Sequence, residues 1–434
     1  MADIEVENKL RVLIVAEHAS AMFGGEAILP LHYYRLLRDR HIPAWMVVHE
    51  RTKVELEKLF PNDEKCIHFI KDTFAQRLLW KIGQKLPDRI SYFTVGFLQR
   101  LLSQMQQKKV AKKLVLSEKI NVIHQPIPVS PKEPSLLFNM GAPVVIGPMN
   151  GGMEYPEGFR FNQRSNENLI ISIGRYFSSA LNYLMPGKLR ASTLLVANTR
   201  TKAALPACVS KVHTEIIVEN GVDLSLWSSI NQVKSYSCND EEPGFVKFVF
   251  MGRLVDWKAV DLLVEAFALA VNHSKISLMI IGDGNQRNYL QDKANNLGLL
   301  SENQNEGKIT FSGWIPQLEC VNALRQSDCL VLTSLLECGG AVVLEAMAMG
   351  LPVIATKWGG PIDYLDSTCG ILIEPTNRHN FIMNVSAALC TMAGNSKLRE
   401  NMGRAGRLRV EREFDWSVKV DRVVEIYKRA AGFI

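Results

Sequence analysis

The sequence predicts an α/β protein of two doubly wound domains, each with a parallel sheet covered by helices on both faces. Three observations support this fold class. Short apolar runs rich in β-branched residues alternate with helical patterns along the whole chain. These runs are apolar at nearly every position, as expected of strands buried on both faces. The 434 residues also exceed one ordinary hydrophobic core, so two domains of roughly 200 residues are expected.

The predicted strands fall into two series, and each strand ends near a Gly, a Pro or a polar residue. The first series is RVLIVAE (11–17), NVIHQP (121–126), PVVIGP (143–148) and TLLVANT (193–199). The second series is FVKFVFMGRL (245–254), SLMIIGDG (277–284), KITFSGW (308–314), CLVLTS (329–334), PVIATK (352–357) and GILIEP (370–375). Two such series predict two Rossmann-like domains that bind ligands at the carboxyl ends of their strands.

The domain boundary is predicted between Asn220 and Phe245. Within this stretch, NQVKSYSCNDEEPG (231–244) is polar, rich in turn-forming residues and without helical or strand periodicity. With this whole stretch assigned to the second domain, we expect residues 1–217 to form the first domain and residues 218–414 the second.

The last segment, FDWSVKVDRVVEIYKRAA (414–431), has the apolar spacing of one amphipathic helix. We expect a C-terminal helix over 415–434 that packs back on the first domain.

The composition excludes several classes of protein. Hydrophobic residues make up 47% of the chain and charged residues 22%, as in a folded globular protein. No apolar run reaches the ~20 residues of a membrane span. The N-terminus lacks the layout of a secretion signal, and the eight cysteines are scattered singly without zinc-binding spacing. These features predict a cytoplasmic protein.

The charge is distributed unevenly. Residues 1–210 carry a net charge of +10 and residues 211–434 one of −4, which together give the net +6. The stretch 74–113 mixes Lys and Arg with Trp80, Tyr92 and Phe93, a pattern that suits the surface of an anionic membrane. The alternative is a pair of helices packed on the first domain with solvated charges. A nucleic-acid partner is not expected, because no recognised motif accompanies the charge.

The first predicted strand of each series is followed by residues that could bind a ligand. Gly24 and Gly25 form a strand-to-helix loop where backbone can approach an anionic ligand, although an ordinary loop is the alternative. This loop is not GxGxxG, so a nicotinamide or flavin site is not supported. In the second half, Arg253 and Lys258 leave the strand in GRLVDWK and could clamp a diphosphate, or could be solvated surface cations. Gly282 closes the next strand in a tight turn that could line the same cleft, or could be an ordinary turn.

The stretch LLECGGAVVLEAMAMG (335–350) places two glutamates in an otherwise apolar setting. Glu337 is predicted in the exit loop of a strand, and Glu345 about one turn into the following helix. At the helix start, three small residues offer free backbone N–H groups to an anion: Gly339, Gly340 and Ala341. Because carboxylates accept hydrogen bonds from hydroxyls, the stretch could hold both phosphate and sugar. Two surface carboxylates are the alternative.

The first half offers a second group of candidates. His124 ends a predicted strand and could donate hydrogen bonds to a substrate, or be a satisfied structural histidine. The glycine-rich loop GPMNGGMEYP (147–156) brings Asn150, Gly151 and Gly152 to another strand end. These residues could approach an acceptor, or form a purely structural loop.

Together these features resemble the retaining, nucleotide-sugar-dependent glycosyltransferases of the GT-B fold, the large "group 1" family (family 4). The resemblance covers most of residues 218–430. It is carried by VENGVDLSLW (218–227), FMGRLVDWKAVDLLVEAF (250–267), IIGDG (280–284), FSGW (311–314) and LLECGGAVVLEAMAMGLPVIATKWGGPIDYL (335–365). In the first half, the strand LRVLIVAE, the GGE loop and His124 fit the family.

The resemblance implies a role for each candidate. Arg253 and Lys258 would neutralise the donor diphosphate, Glu337 would bind hydroxyls of the transferred sugar, and Glu345 would bind the ribose. Donor contacts are also implied for the following residues: Gly24, Gly25, Gly282, Trp314, Ile315, Gly339, Gly340, Ala341 and Val342. His124 would be the histidine of the catalytic site, and His124, Asn150, Gly151 and Gly152 would face the acceptor.

The function implied is hexosyl transfer with retention, from a UDP- or GDP-sugar to a hydroxyl of a glycan or lipid-linked acceptor in surface polysaccharide or glycolipid synthesis. No cofactor is expected, and the lack of Asp-x-Asp agrees with a metal-independent site. If residues 74–113 bind lipid, the protein would sit peripherally on the cytoplasmic face of a membrane. A GT-B-fold sugar-nucleotide epimerase, and a non-catalytic nucleotide-sugar-binding partner of another transferase, remain the alternatives.

Overall fold

The chain forms two compact units. The computed structural model describes residues 9–23, 25–87, 90–91, 94–162, 178–227, 244–302 and 307–434. Unit 1 comprises the described residues of 1–152, 163–219 and 419–434, and unit 2 those of 153–162 and 220–418. The change of unit at 219/220 lies two residues after residue 217, the predicted end of the first domain. The predicted domains did not include the excursion of residues 153–162 into unit 2.

Unit 1 contains a seven-stranded parallel sheet. Its strands are β1 (Val12–Val15), β2 (Ala44–His49), β3 (Ile67–Ile70), β4 (Val122–Gln125), β5 (Val144–Met149), β6 (Thr193–Val196) and β7 (Thr214–Ile216). The strand order is β3-β2-β1-β4-β5-β6-β7. Strands β1, β2, β4, β5 and β6 are buried along their whole length, because helices cover both faces of the sheet.

The helices of unit 1 connect these strands. They are α1 (Ile28–Asp39), α2 (Lys53–Leu59), α3 (Phe74–Gly83), α4 (Val95–Ser117), α5 (Ser178–Leu184) and α6 (Thr199–Ala203). The long helix α4 buries Ala111, Leu114 and Val115 in the same apolar cluster as Leu13 of β1 and Ile123 of β4.

Unit 2 contains a six-stranded parallel sheet. Its strands are β8 (Val246–Met251), β9 (Ile276–Ile281), β10 (Ile309–Gly313), β11 (Cys329–Leu332), β12 (Val353–Thr356) and β13 (Gly370–Ile373), in the order β10-β9-β8-β11-β12-β13. Its helices are α7 (Val260–Ala270), α8 (Arg287–Asn296), α9 (Gln317–Gln326), α10 (Ala341–Ala348), α11 (Pro361–Tyr364), α12 (Arg378–Gly394) and α13 (Ser396–Arg409).

The last helix, α14 (Trp416–Ala431), is the amphipathic helix that the sequence predicts. Its residues from 419 onward belong to unit 1. The side chains on its apolar face, among them Val420, Val423 and Tyr427, are fully buried.

The two parallel sheets confirm the predicted doubly wound α/β fold, and all ten predicted strands are present. The prediction missed β2, β3 and β7. Strand β7 has only three residues and none of them is buried, so it lacks the continuous apolar run that identified the others. Strand β3 is similarly only half-buried at its two central positions.

Each sheet reverses its strand order at its first strand. In unit 1, β1 lies between β2 and β4, and in unit 2, β8 lies between β9 and β11. Connections leave such a pair in opposite directions, so a crevice opens outside the carboxyl ends of the two strands. Each sheet therefore has a defined position for a ligand, at β1/β4 and at β8/β11.

Candidate active site

Lys258 and Glu337 meet at the β8/β11 crevice of unit 2. Lys258 ends a single 3₁₀ turn, Asp256–Lys258, that follows β8, and Glu337 lies in the loop that follows β11. The Lys258 ammonium donates to Oε2 of Glu337, and the two side chains are each 13% exposed. Strand order thus brings an ammonium and a carboxylate that lie 79 positions apart into one ion pair.

The last two residues of the predicted strand CLVLTS support this ion pair. Ser334 Oγ donates to Glu337 Oε2 at 3.1 Å. The buried Thr333 hydroxyl lies 3.2 Å from the carbonyl oxygen of Lys258 and 3.1 Å from that of Ala259, whose backbone is left-handed (φ 49°). Neither Thr333 nor Ser334 was among the residues predicted from the sequence. The signal was a polar Thr-Ser pair ending an otherwise apolar strand.

Arg253 leaves β8 beside the ion pair without joining it. Its guanidinium lies 6.0 Å from the centroid of the Trp257 ring. The side chain is exposed and forms no hydrogen bond or ion pair with any residue that the structure describes. The carbonyl of Trp257 accepts a 2.9 Å hydrogen bond from the backbone N–H of Leu335, which ties the loop after β8 to the loop after β11. One cation at this edge is therefore unpaired and one is paired.

Glu345 lies on α10 as a carboxylate without a protein donor. The carboxylate forms no hydrogen bond or ion pair within the described part of the chain, and the residue is partly exposed. Burial raises the pKa of its carboxyl from the usual 4.5 to about 7. A desolvated carboxylate open on one side is well suited to accept hydrogen bonds from a ligand.

Helix α10 begins at Ala341, directly after the loop that carries Glu337. Gly340 precedes it with φ +82°, a left-handed conformation that favours glycine. Gly339 is buried, whereas Gly340, Ala341 and Val342 are partly exposed. The first backbone N–H groups of a helix have no intrahelical acceptor, so this end of α10 presents donors near Glu337.

The remaining predicted donor residues of unit 2 follow β9 and β10. The backbone N–H of Gly282 donates to the carbonyl of Gly313 at 2.8 Å, which joins the ends of these two strands. Trp314 is 75% exposed, and Ile315 beside it is partly exposed. Among the described residues, no group of three or more His, Cys, Asp or Glu side chains is placed to hold a metal ion.

His124 differs from its predicted role in catalysis and acceptor binding. The ring is fully buried in unit 1, and its Nε2 lies 2.6 Å from the carbonyl oxygen of Gly147, so Nε2 carries the proton. The other nitrogen, Nδ1, lies 2.6 Å from the Tyr427 hydroxyl of α14 and accepts a hydrogen bond from it. Burial lowers the pKa of His124 to about 4. Both nitrogens are thus used internally, which contradicts a substrate contact by this ring.

Asn150 is a second correction. Its side chain is buried, its amide nitrogen donates to the Glu219 carboxylate, and its carbonyl oxygen accepts from Thr201 Oγ1 at 3.3 Å. These bonds contradict the predicted side-chain contact with an acceptor. Gly151 is partly exposed and Gly152 is exposed, so their predicted acceptor contact stays a prediction.

The GGE loop of unit 1 is described only in part. Gly24 lies outside the described residues, and Gly25 is exposed. The predicted donor contact of these two glycines stays a prediction.

The basic stretch 74–113 forms helices α3 and α4, with Tyr92 and Phe93 outside the described residues. Helix α3 turns an apolar row to solvent, in which Phe74 is 77%, Leu78 50% and Ile82 46% exposed. No helix among the described residues combines the length and apolar character that crossing a bilayer requires. The helix pair of the alternative interpretation is present, and it carries an exposed apolar row.

Comparison with known proteins identifies the second half of the chain. The family model "Glycosyl transferases group 1" matches residues 239–409. A D-inositol 3-phosphate glycosyltransferase of Thermobifida fusca is 29% identical over 252 residues, which cover 54% of this chain and 55% of the relative. A lipopolysaccharide core biosynthesis glycosyltransferase, LpsE, of Rhizobium meliloti is 27% identical over 177 residues, which cover 41% and 48%.

A solved structure extends the likeness to the whole fold. The Anabaena protein Alr3699/HepE in complex with UDP superposes with a TM-score of 0.64 at 16% identity, covering 97% of this chain and 100% of that one. The chain spans about half the length of the curated relatives that it matches. With its two parallel sheets and this likeness, the chain has the GT-B fold, and its residues 239–409 match the family of group 1 glycosyltransferases.

Proposed function

We propose that this protein is a retaining glycosyltransferase that moves a hexosyl group from a UDP- or GDP-sugar to a hydroxyl of a glycan or lipid-linked acceptor. The observation that carries the proposal is the meeting of Lys258 and Glu337 at the β8/β11 crevice, inside the segment that matches the family. A cation for phosphate and a carboxylate for hydroxyls are the two groups that a nucleotide-sugar site needs.

The donor diphosphate is assigned to Arg253 and Lys258. Arg253 is exposed and pairs with no described residue, so its guanidinium is available for bidentate bonds to phosphate oxygens. Lys258 supplies a point charge beside it, and the start of α10 adds backbone N–H donors. These groups neutralise the leaving diphosphate without requiring a metal ion.

The hydroxyl groups of the donor are assigned to the two glutamates. Glu337 accepts from the transferred sugar. Glu345 accepts from the ribose, and its lack of a protein donor supports this assignment. The exposed Trp314 and the neighbouring Ile315 offer an apolar surface to the base. Each part of the donor, namely the sugar, the diphosphate, the ribose and the base, is thus assigned its own residues.

The chemistry is proposed to run on one face of the sugar. The bond from the anomeric carbon to the diphosphate oxygen breaks, and the acceptor hydroxyl attacks on the same face and gives its proton to the departing diphosphate oxygen, which retains the anomeric configuration. Glu337 positions the sugar and stabilises the positive charge that develops on it, while Arg253 and Lys258 stabilise the departing diphosphate. No protein nucleophile is assigned.

A lipid-linked acceptor is supported by the surface of α3. Its exposed apolar row lies beside the cations Arg77, Lys81 and Lys85, which are also exposed. Apolar side chains flanked by cations bind anionic bilayers by burial and by charge together. The lipopolysaccharide role in the name of the LpsE relative agrees with such an acceptor.

The activity is tested by incubating the protein with a panel of UDP-, GDP- and ADP-sugars, with and without lipid extract. We expect one donor to release its nucleoside diphosphate faster when acceptor is present, and the product to keep the donor's anomeric configuration by NMR. Inversion of that configuration would contradict retention. Conversion of the sugar without acceptor and without release would indicate an epimerase.

Membrane binding is tested separately by flotation with anionic liposomes. We expect the wild type to float, and a variant with Phe74→Ser, Leu78→Ser and Ile82→Ser to remain unbound. The control replaces three apolar residues elsewhere that are at least as exposed, Val54, Leu116 and Leu184. Flotation of the α3 variant at the wild-type level, or failure of the wild type to float, would reject this surface.

A further inference from the structure

The ion pair between Lys258 and Glu337 conflicts with the two roles that the proposed function gives them. In this ligand-free structure each side chain is the other's charge partner, and each is 13% exposed. A diphosphate bound by Lys258 competes directly with the Glu337 carboxylate for the same ammonium. Either the diphosphate or the Glu337 carboxylate must then interact more weakly with the Lys258 ammonium.

The Glu337 carboxylate is not free to leave when a phosphate arrives. Ser334 Oγ donates to the same oxygen that Lys258 binds, at 3.1 Å. The Glu337 carbonyl accepts from the N–H of Gly360 at 2.7 Å. At Gly359 a Cβ would lie 2.1 Å from that carbonyl oxygen, so the two loops are in close contact. Backbone and side chain are both held, which keeps the negative charge close to Lys258.

We propose that Glu337 discriminates a sugar nucleotide from a free nucleoside diphosphate by exchanging its partner; this inference rests on the proposed function. When the donor binds, Lys258 moves to the diphosphate, and the sugar hydroxyls replace the ammonium as donors to Glu337. A free nucleoside diphosphate takes Lys258 but lacks the transferred sugar whose hydroxyls would donate to Glu337, since its ribose hydroxyls are assigned to Glu345. It therefore leaves a confined carboxylate without its cation and next to a phosphate.

The same exchange favours release of the spent nucleotide. Once the sugar has moved to the acceptor and left the site, Glu337 has lost its hydroxyl donors and competes again for Lys258. The ion pair re-forms as the nucleoside diphosphate departs. Glu337 is thus a specificity-determining residue in addition to a sugar-binding one.

The test compares the binding of UDP and UDP-glucose, and of GDP and GDP-mannose, by calorimetry in wild type and Glu337→Gln. For the pair that binds, we expect the wild type to prefer the sugar nucleotide. In E337Q the free diphosphate should bind roughly tenfold more tightly than in wild type, because Lys258 is released. The preference for the sugar nucleotide should fall by at least that factor.

Two further variants test whether the effect comes from the loss of the Glu337 charge. Glu337→Ala also releases Lys258, so it must shift diphosphate binding in the same direction as E337Q. Glu265→Gln is the control, because Glu265 also forms a Lys–Glu pair in the same unit, with Lys293, next to an ion pair with Arg378. Its diphosphate affinity should stay within about twofold of wild type.

Each outcome decides one statement. Unchanged or weaker diphosphate binding in E337Q and E337A overturns the partner exchange. Equal tightening in E265Q also overturns it, because removal of any nearby charge would then explain the effect. If the wild type binds neither diphosphates nor sugar nucleotides, the proposed function itself fails.

Discussion

Both units place polar residues near the crevice beside their first strand, and they use them differently. At β1/β4 of unit 1, His124 is sealed from solvent by Tyr427 of α14, and both of its nitrogens bond within the unit. At β8/β11 of unit 2, Lys258 and Glu337 pair at a partly exposed edge. The same strand topology therefore locates a crevice but does not decide its use. What packs over the strand ends decides whether a polar side chain is internal or available.

The largest effect is expected from Lys258→Met in unit 2. The change removes a cation from the donor diphosphate and leaves Glu337 without its partner. We expect kcat/KM for the sugar nucleotide to fall roughly 10²–10³-fold, measured by release of nucleoside diphosphate. Lys293→Met, which removes the cation of the Lys–Glu pair between α7 and α8, serves as the control. Turnover of K258M within tenfold of wild type would contradict an active site at β8/β11.

The next effect is expected from Lys188, a lysine buried in unit 1. Its Nζ donates to the carbonyls of Ser130 and Pro131 at 2.9 Å each, and burial lowers its pKa from 10.5 to about 7. The unfolded chain binds this proton more readily, so the free energy of unfolding should rise with pH between about 7 and about 9, by about 2 kcal/mol.

Lys188→Met should lose that dependence and be less stable throughout, because two buried carbonyls lose their donor. Urea unfolding at several pH values measures it, with the exposed Lys202→Met as control. If the unfolding free energy of K188M still rose with pH as in the wild type, Lys188 would not be the source of the dependence. Lys188 would then differ from His124, a buried group with internal hydrogen bonds.

Glu345 should show opposite effects on stability and on ligand binding. Because the folded protein raises the pKa of Glu345, folding favours the protonated carboxyl. The stability that this group contributes is fully present below about pH 4.5 and is lost as pH rises through about 7. Glu345→Gln should therefore increase the free energy of unfolding at pH 8 by about 1–2 kcal/mol. Donor affinity of the wild type should rise as pH passes through about 7, because the ionised carboxylate is the better hydroxyl acceptor.

Calorimetry and urea unfolding at pH 6 and pH 8 measure the two effects in the same samples. The exposed Glu319→Gln on α9 is the control, for which neither change is expected. Full donor affinity in E345Q at pH 8 would remove the ribose assignment.

The smallest effect is expected from Tyr427→Phe in unit 1. The variant removes the hydroxyl that donates to His124 and leaves a buried ring nitrogen unsatisfied. We expect a loss of about 1–2 kcal/mol in unfolding free energy, with donor affinity unchanged. The exposed Tyr183→Phe is the control. Lost turnover without lost stability would restore a catalytic role for His124 and make the two crevices alike.

The sequence predicted the parallel sheets well because buried parallel strands are continuous apolar runs. It also predicted that Lys258 and Glu337 follow strands, and strand order then brought them together. It could not predict their pairing, since that depends on β8 and β11 being neighbours. The role predicted for His124 was wrong for the same reason. The Tyr427 hydroxyl that donates to its Nδ1 lies 303 positions away, and the apolar periodicity of α14 does not show where that hydroxyl points.

The chain changes unit four times, after residues 152, 162, 219 and 418. Neither half is therefore a continuous stretch that could be exchanged with a relative by one cut. A chimera joined near residue 219 alone would combine a foreign final helix with the native His124. The Tyr427 hydroxyl, the carbonyl of Gly147 and the ring between them would then have to be inherited as a set. Hybrids in which residues 419–434 come from the same parent as the rest of unit 1 should fold. Hybrids in which these residues come from the other parent should pack the final helix poorly against unit 1.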